Sequence, residues 1–86
     1  MGKVIWSAQA LAVAAALPPE ARAALERRLG YLREMPRMYQ LALDERFPGC
    51  RTFWLEPAYR VFYMVSATGD DVYLTAIVPE PVEESL

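Results

Sequence analysis

Hydrophobic periodicity changes once along this chain, and the change falls at Pro36. Before it, apolar residues recur at helical spacing; after it, they come in short β-rich runs. Ala21, Leu25, Leu29 and Leu32 follow one another at spacings of four, four and three, which makes one apolar stripe along a helix. Pro19 suits the first position of that helix, where its missing N–H costs nothing, and Glu20 meets the positive end of the helix dipole. Pro36 disfavours the α conformation at Met35, so the helix is expected to stop near Glu34. Arg22 and Glu26 lie four apart and are placed to pair, with Arg27, Arg28 and Arg33 on the solvent side.

Upstream, Val4-Ile5-Trp6 reads as a short first strand. Ser7 reads as an N-cap, because its hydroxyl can accept an orphan helical N–H. Ala8 to Leu17 then forms a helix that Pro18 ends. It is apolar nearly all round, which means burial on several sides or a face that awaits a partner. Residues 1–23 loosely imitate a secretory signal, but Ser7 and Gln9 interrupt the apolar run. Ala10 to Leu17 is too short to span a bilayer, so no membrane association is expected.

Downstream, Tyr39 to Leu43 fits a short strand or a helical turn, and the pattern does not separate the two. Pro48-Gly49 is a turn signal. Three β-rich runs follow, Arg51 to Glu56, Tyr59 to Ser66 and Val72 to Val78, joined by Pro57-Ala58 and by a hairpin at Thr68-Gly69-Asp70-Asp71. Strands joined this closely pair antiparallel. Alternation puts Tyr59, Val61, Tyr63 and Val65 on one sheet face, and Arg60, Phe62 and Met64 on the other. Pro79 and Pro81 are expected to end the last strand and leave 79–86 as a mobile acidic tail. The expected architecture is α+β in a single domain, 1–86: an N-terminal strand, an αα-hairpin, then an antiparallel β-sheet.

Composition narrows the chemistry. The chain holds no histidine and one cysteine, Cys50. That removes Ser-His-Asp triads, Cys-His pairs and most transition-metal sites, so neither metal nor other cofactor is expected. Any catalysis falls to Arg, Lys, Tyr, Asp or Glu. A single cysteine cannot form an internal disulfide, which fits a reducing, cytoplasmic setting, and Cys50 reads as a small core residue. No phosphate-cradling loop or dinucleotide fingerprint occurs among the four glycines. Asp70-Asp71 reads as a pair of solvated turn carboxylates. A hydrophobic fraction of 55% is generous for an 86-residue core, which points either to efficient packing or to an apolar surface that a partner covers.

Several short motifs carry a family resemblance. Leu32 at the end of the helical hairpin is followed by Pro36; a glycine and an arginine come next, in Gly49-Cys50-Arg51. The following strand reads Tyr59-Arg60-Val61-Phe62-Tyr63, and the last runs from Val72 to Ile77. From Val4 to about Glu80 the chain resembles the RelE/ParE superfamily of toxins from bacterial type II toxin–antitoxin systems. The resemblance implies a cognate antitoxin as partner. It implies, first, a RelE-like, metal-independent endoribonuclease that cuts messenger RNA at the ribosome and inhibits translation. Its alternatives are a ParE-like toxin that inhibits DNA gyrase by protein binding, and a degenerate, non-catalytic interaction module, which could form a homo-oligomer.

By that resemblance, Arg60 matches the family's strand arginine near the scissile phosphate, and Arg51 matches an arginine on the preceding strand. They are the candidate catalytic pair, able to stabilise phosphorane charge through bidentate hydrogen bonds. Each also suits a structural role, capping the sheet or pairing with Glu56 or Asp44. Tyr63, Tyr59 and Trp54 are candidate substrate contacts, with a core role open for each and an antitoxin-facing role open for Trp54. The nuclease reading expects Arg51 and Arg60 together in one positive concave surface. Three departures stand against it. Lys3 is the only lysine, so the lysines that serve RelE-like members before the arginine strand are missing. Pro79-Glu80 replaces a basic pair, and the net charge is -2, where phosphate binding favours a basic surface. Arg22, Arg27, Arg28, Arg33 and Arg37 cluster in sequence, and read as a solvated helix face before a nucleic-acid patch.

Overall fold

The computed structural model describes residues 2–56 and 58–80. The elements are β1 (Val4–Trp6), α1 (Ala8–Ala16), α2 (Pro19–Glu34), β2 (Arg51–Leu55), β3 (Tyr59–Val65) and β4 (Val72–Pro79). One four-stranded sheet runs in the order β1-β4-β3-β2. The two hairpin-linked pairs, β2 with β3 and β3 with β4, are antiparallel as expected. β1 joins the edge of β4 in parallel, so the sheet is mixed. The α+β architecture and the element order agree with the sequence reading.

Both helices lie on one face of this sheet. Leu25, Leu29 and Leu32 of α2 and Ala10 and Ala14 of α1 pack with Phe53, Leu55, Val61, Tyr63, Val72, Leu74 and Ile77 in one buried cluster. Each large aliphatic side chain buried there contributes about 2 kcal/mol. A smaller cluster of Cys50, Phe62 and Ala76 lies on the opposite face, covered by Ala42 and Phe47.

The helix ends follow the expected caps with one change of partner. The Ser7 hydroxyl accepts from the Ala10 N–H at 3.0 Å. Arg22 does not pair with Glu26. Its Nη2 donates to the carbonyls of Ala14 and Ala15, at 3.1 and 2.9 Å. The Ala14 carbonyl receives only a long bond from the Leu17 N–H, at 3.3 Å, and the prolines at 18 and 19 have no N–H to offer, so a nearby guanidinium completes the bonding of Ala14 and Ala15.

Tyr39 to Leu43 is extended. Leu41 forms an antiparallel bridge with Arg51, flanked by bonds from Ala42 N–H to Cys50 at 2.7 Å and from Thr52 N–H to Gln40 at 3.1 Å. Gly49 turns the chain into β2 with a φ of 79°.

At the other end, β4 runs one residue further than expected, since Pro79 pairs with Tyr59. The Glu80 N–H donates to the Ala58 carbonyl at 2.8 Å. Pro79 and Glu80 are therefore part of the sheet's end rather than of a tail; the rest of the expected tail, 81–86, lies outside the described residues. Between β3 and β4 the register slips: Phe62 faces Ala76 while Tyr63 faces Leu74, which leaves Thr75 as the extra residue of a bulge. The Ser7 hydroxyl donates to the Thr75 carbonyl at 2.7 Å and so holds it.

Candidate functional site

Strand pairing decides which side chains can meet. In an antiparallel ladder, residues directly opposite share a face. Arg51 lies opposite Tyr63, and Trp54 lies opposite Arg60. Tyr63 and Arg60 are three apart on β3, so Arg51 and Arg60 project from opposite faces of the sheet. The expectation that they form one catalytic pair is corrected by this parity.

Arg51 belongs to the helix side. Its Nη1 donates to the Tyr39 carbonyl at 2.6 Å and, more weakly, to that of Arg37 at 3.4 Å. It fastens the segment after α2 to the sheet. Tyr63 is fully buried, and its hydroxyl donates to the Pro36 carbonyl at 2.8 Å. Burial pushes that phenol up to about 12. A ring with no exposed face offers no stacking platform, so the expectation of a substrate contact at Tyr63 is corrected to a core role. Tyr59 is half-buried against the same helix-side core.

The open face at the β2 edge gathers a different set. The guanidinium of Arg60 lies over the Trp54 ring, 4.9 Å from its centroid, and Trp54 is 40% exposed. Such a cation–π contact is worth about 0.5–1 kcal/mol at an exposed site. Arg60 Nη1 also stands 3.7 Å from Glu80 Oε2. Behind this pair Phe62 stacks with Phe47, with centroids 4.3 Å apart, and both Arg46 and Arg60 lean on the Phe62 ring.

Arg46 in turn grips Asp44. Its Nε and Nη2 donate to the two carboxylate oxygens at 3.0 and 2.7 Å, and its N–H adds a third bond. These hydrogen bonds hold the Asp44 carboxyl down to about 2 and raise Arg46 above its ordinary value. Asp44, Arg46, Arg60 and Glu80 thus form a charge-balanced quartet around one aromatic ring.

Two open hollows meet at this quartet. One, of about 470 Å³, is lined in part by Arg28, Met38, Gln40, Thr52, Trp54 and Arg60. The other, of about 290 Å³, shares Gln40, Thr52 and Arg60 and adds Asp44. Thr52 Oγ1, Arg60 Nε and Glu80 Oε2 are buried and have no hydrogen-bond partner among the described residues. Leaving a buried polar atom unpaired costs about 1–3 kcal/mol, and two of the three belong to Thr52 and Arg60, which line both hollows. The Arg60 side chain is 29% exposed, and a guanidinium suits phosphate oxygens.

Sequence reasoning found Arg60 and Trp54 in this cleft but missed Arg46 as a member. It saw Asp44 only as a pairing partner and Glu80 only as a missing base. Of the arginine run after Pro19, Arg22 is tied to α1, and Arg28 donates to the Tyr39 hydroxyl at 3.0 Å, on the rim of the larger hollow.

A mixed β1-β4-β3-β2 sheet with both helices on one face, and an arginine-centred cleft on the other, defines an α+β fold of the RelE type. The chain superposes on a chain of the intact Escherichia coli RelBE toxin–antitoxin complex with a TM-score of 0.74 and 21% identity, covering 98% of this chain and 100% of that one. The isolated E. coli RelE toxin gives a TM-score of 0.76 at 19% identity, over 98% of this chain and 88% of that one. The Mycobacterium tuberculosis RelBE2 toxin–antitoxin complex gives 0.71 at 21% identity, over 92% and 98%. No protein-family model matches the sequence, and no curated protein matches it.

Proposed function

We propose that this chain is the toxin of a RelE-type toxin–antitoxin pair, works in the bacterial cytoplasm, and cuts RNA in the Arg60 cleft. One observation carries the reading: Arg60 and Thr52, each with an unpaired buried polar atom, line both hollows of a RelE fold, with Glu80 3.7 Å from Arg60. Arg60 takes the phosphate, and Trp54 offers a π-face on which a neighbouring base stacks. Met35, Met38, Leu41 and Leu43 are exposed along the segment that leads to the cleft, Leu43 completely. A partner that covers them would bury the toxin's apolar surface and its cleft together, which is what an antitoxin must do. The gyrase-directed alternative is not favoured, since the structural relatives found are RelE toxins.

The test is induced expression of the wild type and of Arg60→Ala in a bacterial host, with growth followed and total RNA sequenced for new 5′ ends. The expected result is arrest with new ends that vanish in Arg60→Ala while its thermal melt stays cooperative. Arrest with intact RNA would end the nuclease reading. Unchanged growth would favour the interaction module, a reading that the charge-balanced quartet supports because it weakens the cleft's pull on phosphates.

A further inference from the structure

Transesterification of RNA needs two services at one phosphate: charge stabilisation and removal of the 2′-hydroxyl proton. Arg60 supplies the first. The second has few candidates in a chain without histidine. Lys3 lies beside Val72, whose N–H donates to its carbonyl at the start of β4. The far end of β4 is roughly 23 Å away at strand rise, so Lys3 does not reach the cleft. Tyr63 is buried in the helix-side core, and Asp44 is spent on Arg46 through three hydrogen bonds. Tyr73 is on the open face, but it lies opposite Met64, four residues along β3 from Arg60 and roughly 13 Å away.

Glu80 remains. Its backbone is fixed by the bond to Ala58, and its Oε2 stands 3.7 Å from Arg60 Nη1 without a hydrogen-bond partner among the described residues. That separation is too long for a closed hydrogen bond and short enough for both groups to touch one phosphodiester. With a non-bridging phosphate oxygen on Arg60 and the attacking oxygen about 3 Å from phosphorus, a 2′-hydroxyl comes within a carboxylate's reach.

We infer that Glu80 is the general base of this site; the assignment rests on the RNA-cleaving reading. The Glu80 carboxylate takes the proton of the ribose 2′-hydroxyl. The 2′-oxygen forms a bond to phosphorus as the bond from phosphorus to the 5′-oxygen breaks. The 5′-oxygen leaves with the electron pair and takes a proton from water, and Glu80 returns its proton to solvent. The products are a 2′,3′-cyclic phosphate and a 5′-hydroxyl, and no oxidant, reductant or metal enters the balance.

The test uses full-length wild type, Glu80→Gln, Glu80→Asp and the control Glu56→Gln, with a labelled RNA both free and in a bacterial translation extract. The same oligonucleotide with 2′-deoxyribose at the cut position is the binding probe. Glu80→Gln should bind that probe within about threefold of the wild type while cleavage falls about 10²–10⁴-fold. Glu80→Asp should retain an intermediate rate, Glu56→Gln the full rate, and wild-type products should end in a cyclic phosphate. Cleavage by Glu80→Gln at the wild-type rate would overturn the assignment and leave the nuclease reading standing. A wild type that cuts no RNA in either setting would overturn that reading, and the assignment with it.

Discussion

Gln9 pairs with Ile77 as a neighbouring strand would. Its Nε2 donates to the Ile77 carbonyl at 2.8 Å and its Oε1 accepts from the Ile77 N–H at 2.9 Å. β1 ends at Trp6, so the second half of β4 has no strand on the edge away from β3, and the first turn of α1 supplies the missing bonds. Gln9→Ala should cost about 1–2 kcal/mol and lower Tm by roughly 5–10 °C, measured by urea and thermal unfolding. Gln9→Glu, which keeps the acceptor and loses the donor, should be no more stable than Gln9→Ala. Both should self-associate more readily in sedimentation, because an open strand edge recruits other chains. Wild-type stability in both would refute the role.

Arg51 and Arg60 should separate cleanly. Arg51→Ala should lower stability by about 1–2 kcal/mol, since it releases the Tyr39 carbonyl and loosens the segment after α2. Its affinity for the deoxy-substituted RNA probe should stay near that of the wild type. Arg60→Ala should do the reverse. Equal loss of binding in the two variants would contradict their placement on opposite faces.

Tyr63 should ionise late. An unfolded phenol titrates near 10, whereas the folded one is pushed up to about 12 by burial. Folding then holds a proton that the unfolded chain gives up, so this contribution is full below pH 10 and lost as pH rises towards 12. It amounts to about 2 kcal/mol. Phenolate absorbance should show one late step, and Tyr63→Phe should remove both that step and this part of the alkaline destabilisation.

Asp44 should stay ionised in acid. Its carboxyl is held down to about 2 by Arg46, so the stabilisation it gives the loop is present above pH 4 and lost as pH falls through 2. Carboxyl-carbon NMR checks the titration. Asp44→Asn removes one negative charge from a balanced quartet, and should tighten binding of the RNA probe at low salt with a steeper salt dependence. Weaker binding would mean that the Asp44–Arg46 pair shapes the cleft more than it neutralises it.

Most of the fold was legible because its signals are local. Ser7, the Pro18-Pro19 break, the leucine stripe and Pro36 each act within a turn or two, and the turn before β2 and the β3–β4 hairpin read from Pro48-Gly49 and from Thr68 to Asp71. The parallel docking of β1 on β4 was not legible, because it joins residues 68 apart with no local mark. The site was half legible. The alternation on β3 already separated Arg60 from Tyr63, but the opposition of Arg51 to Tyr63 depends on where the β2–β3 turn falls. The roles of Arg22 and Gln9 were hidden because each answers to orphan main-chain groups brought near only by the tertiary fold.

The extra residue at Thr75 works as a phase shift in the last strand. Val72 and Leu74 point to the helices, and without the slip so would every even-numbered residue that follows. With it, Ile77 fills the core, while Ala76 and Val78 lie on the face of Phe62 and Arg60, and Glu80 follows them there. Drawing Thr75 into the regular ladder would turn Glu80 away from Arg60 without altering either side chain. Ser7 caps α1 and grips the Thr75 carbonyl, so the timing of the C-terminal strand is set from the N-terminal end of the chain.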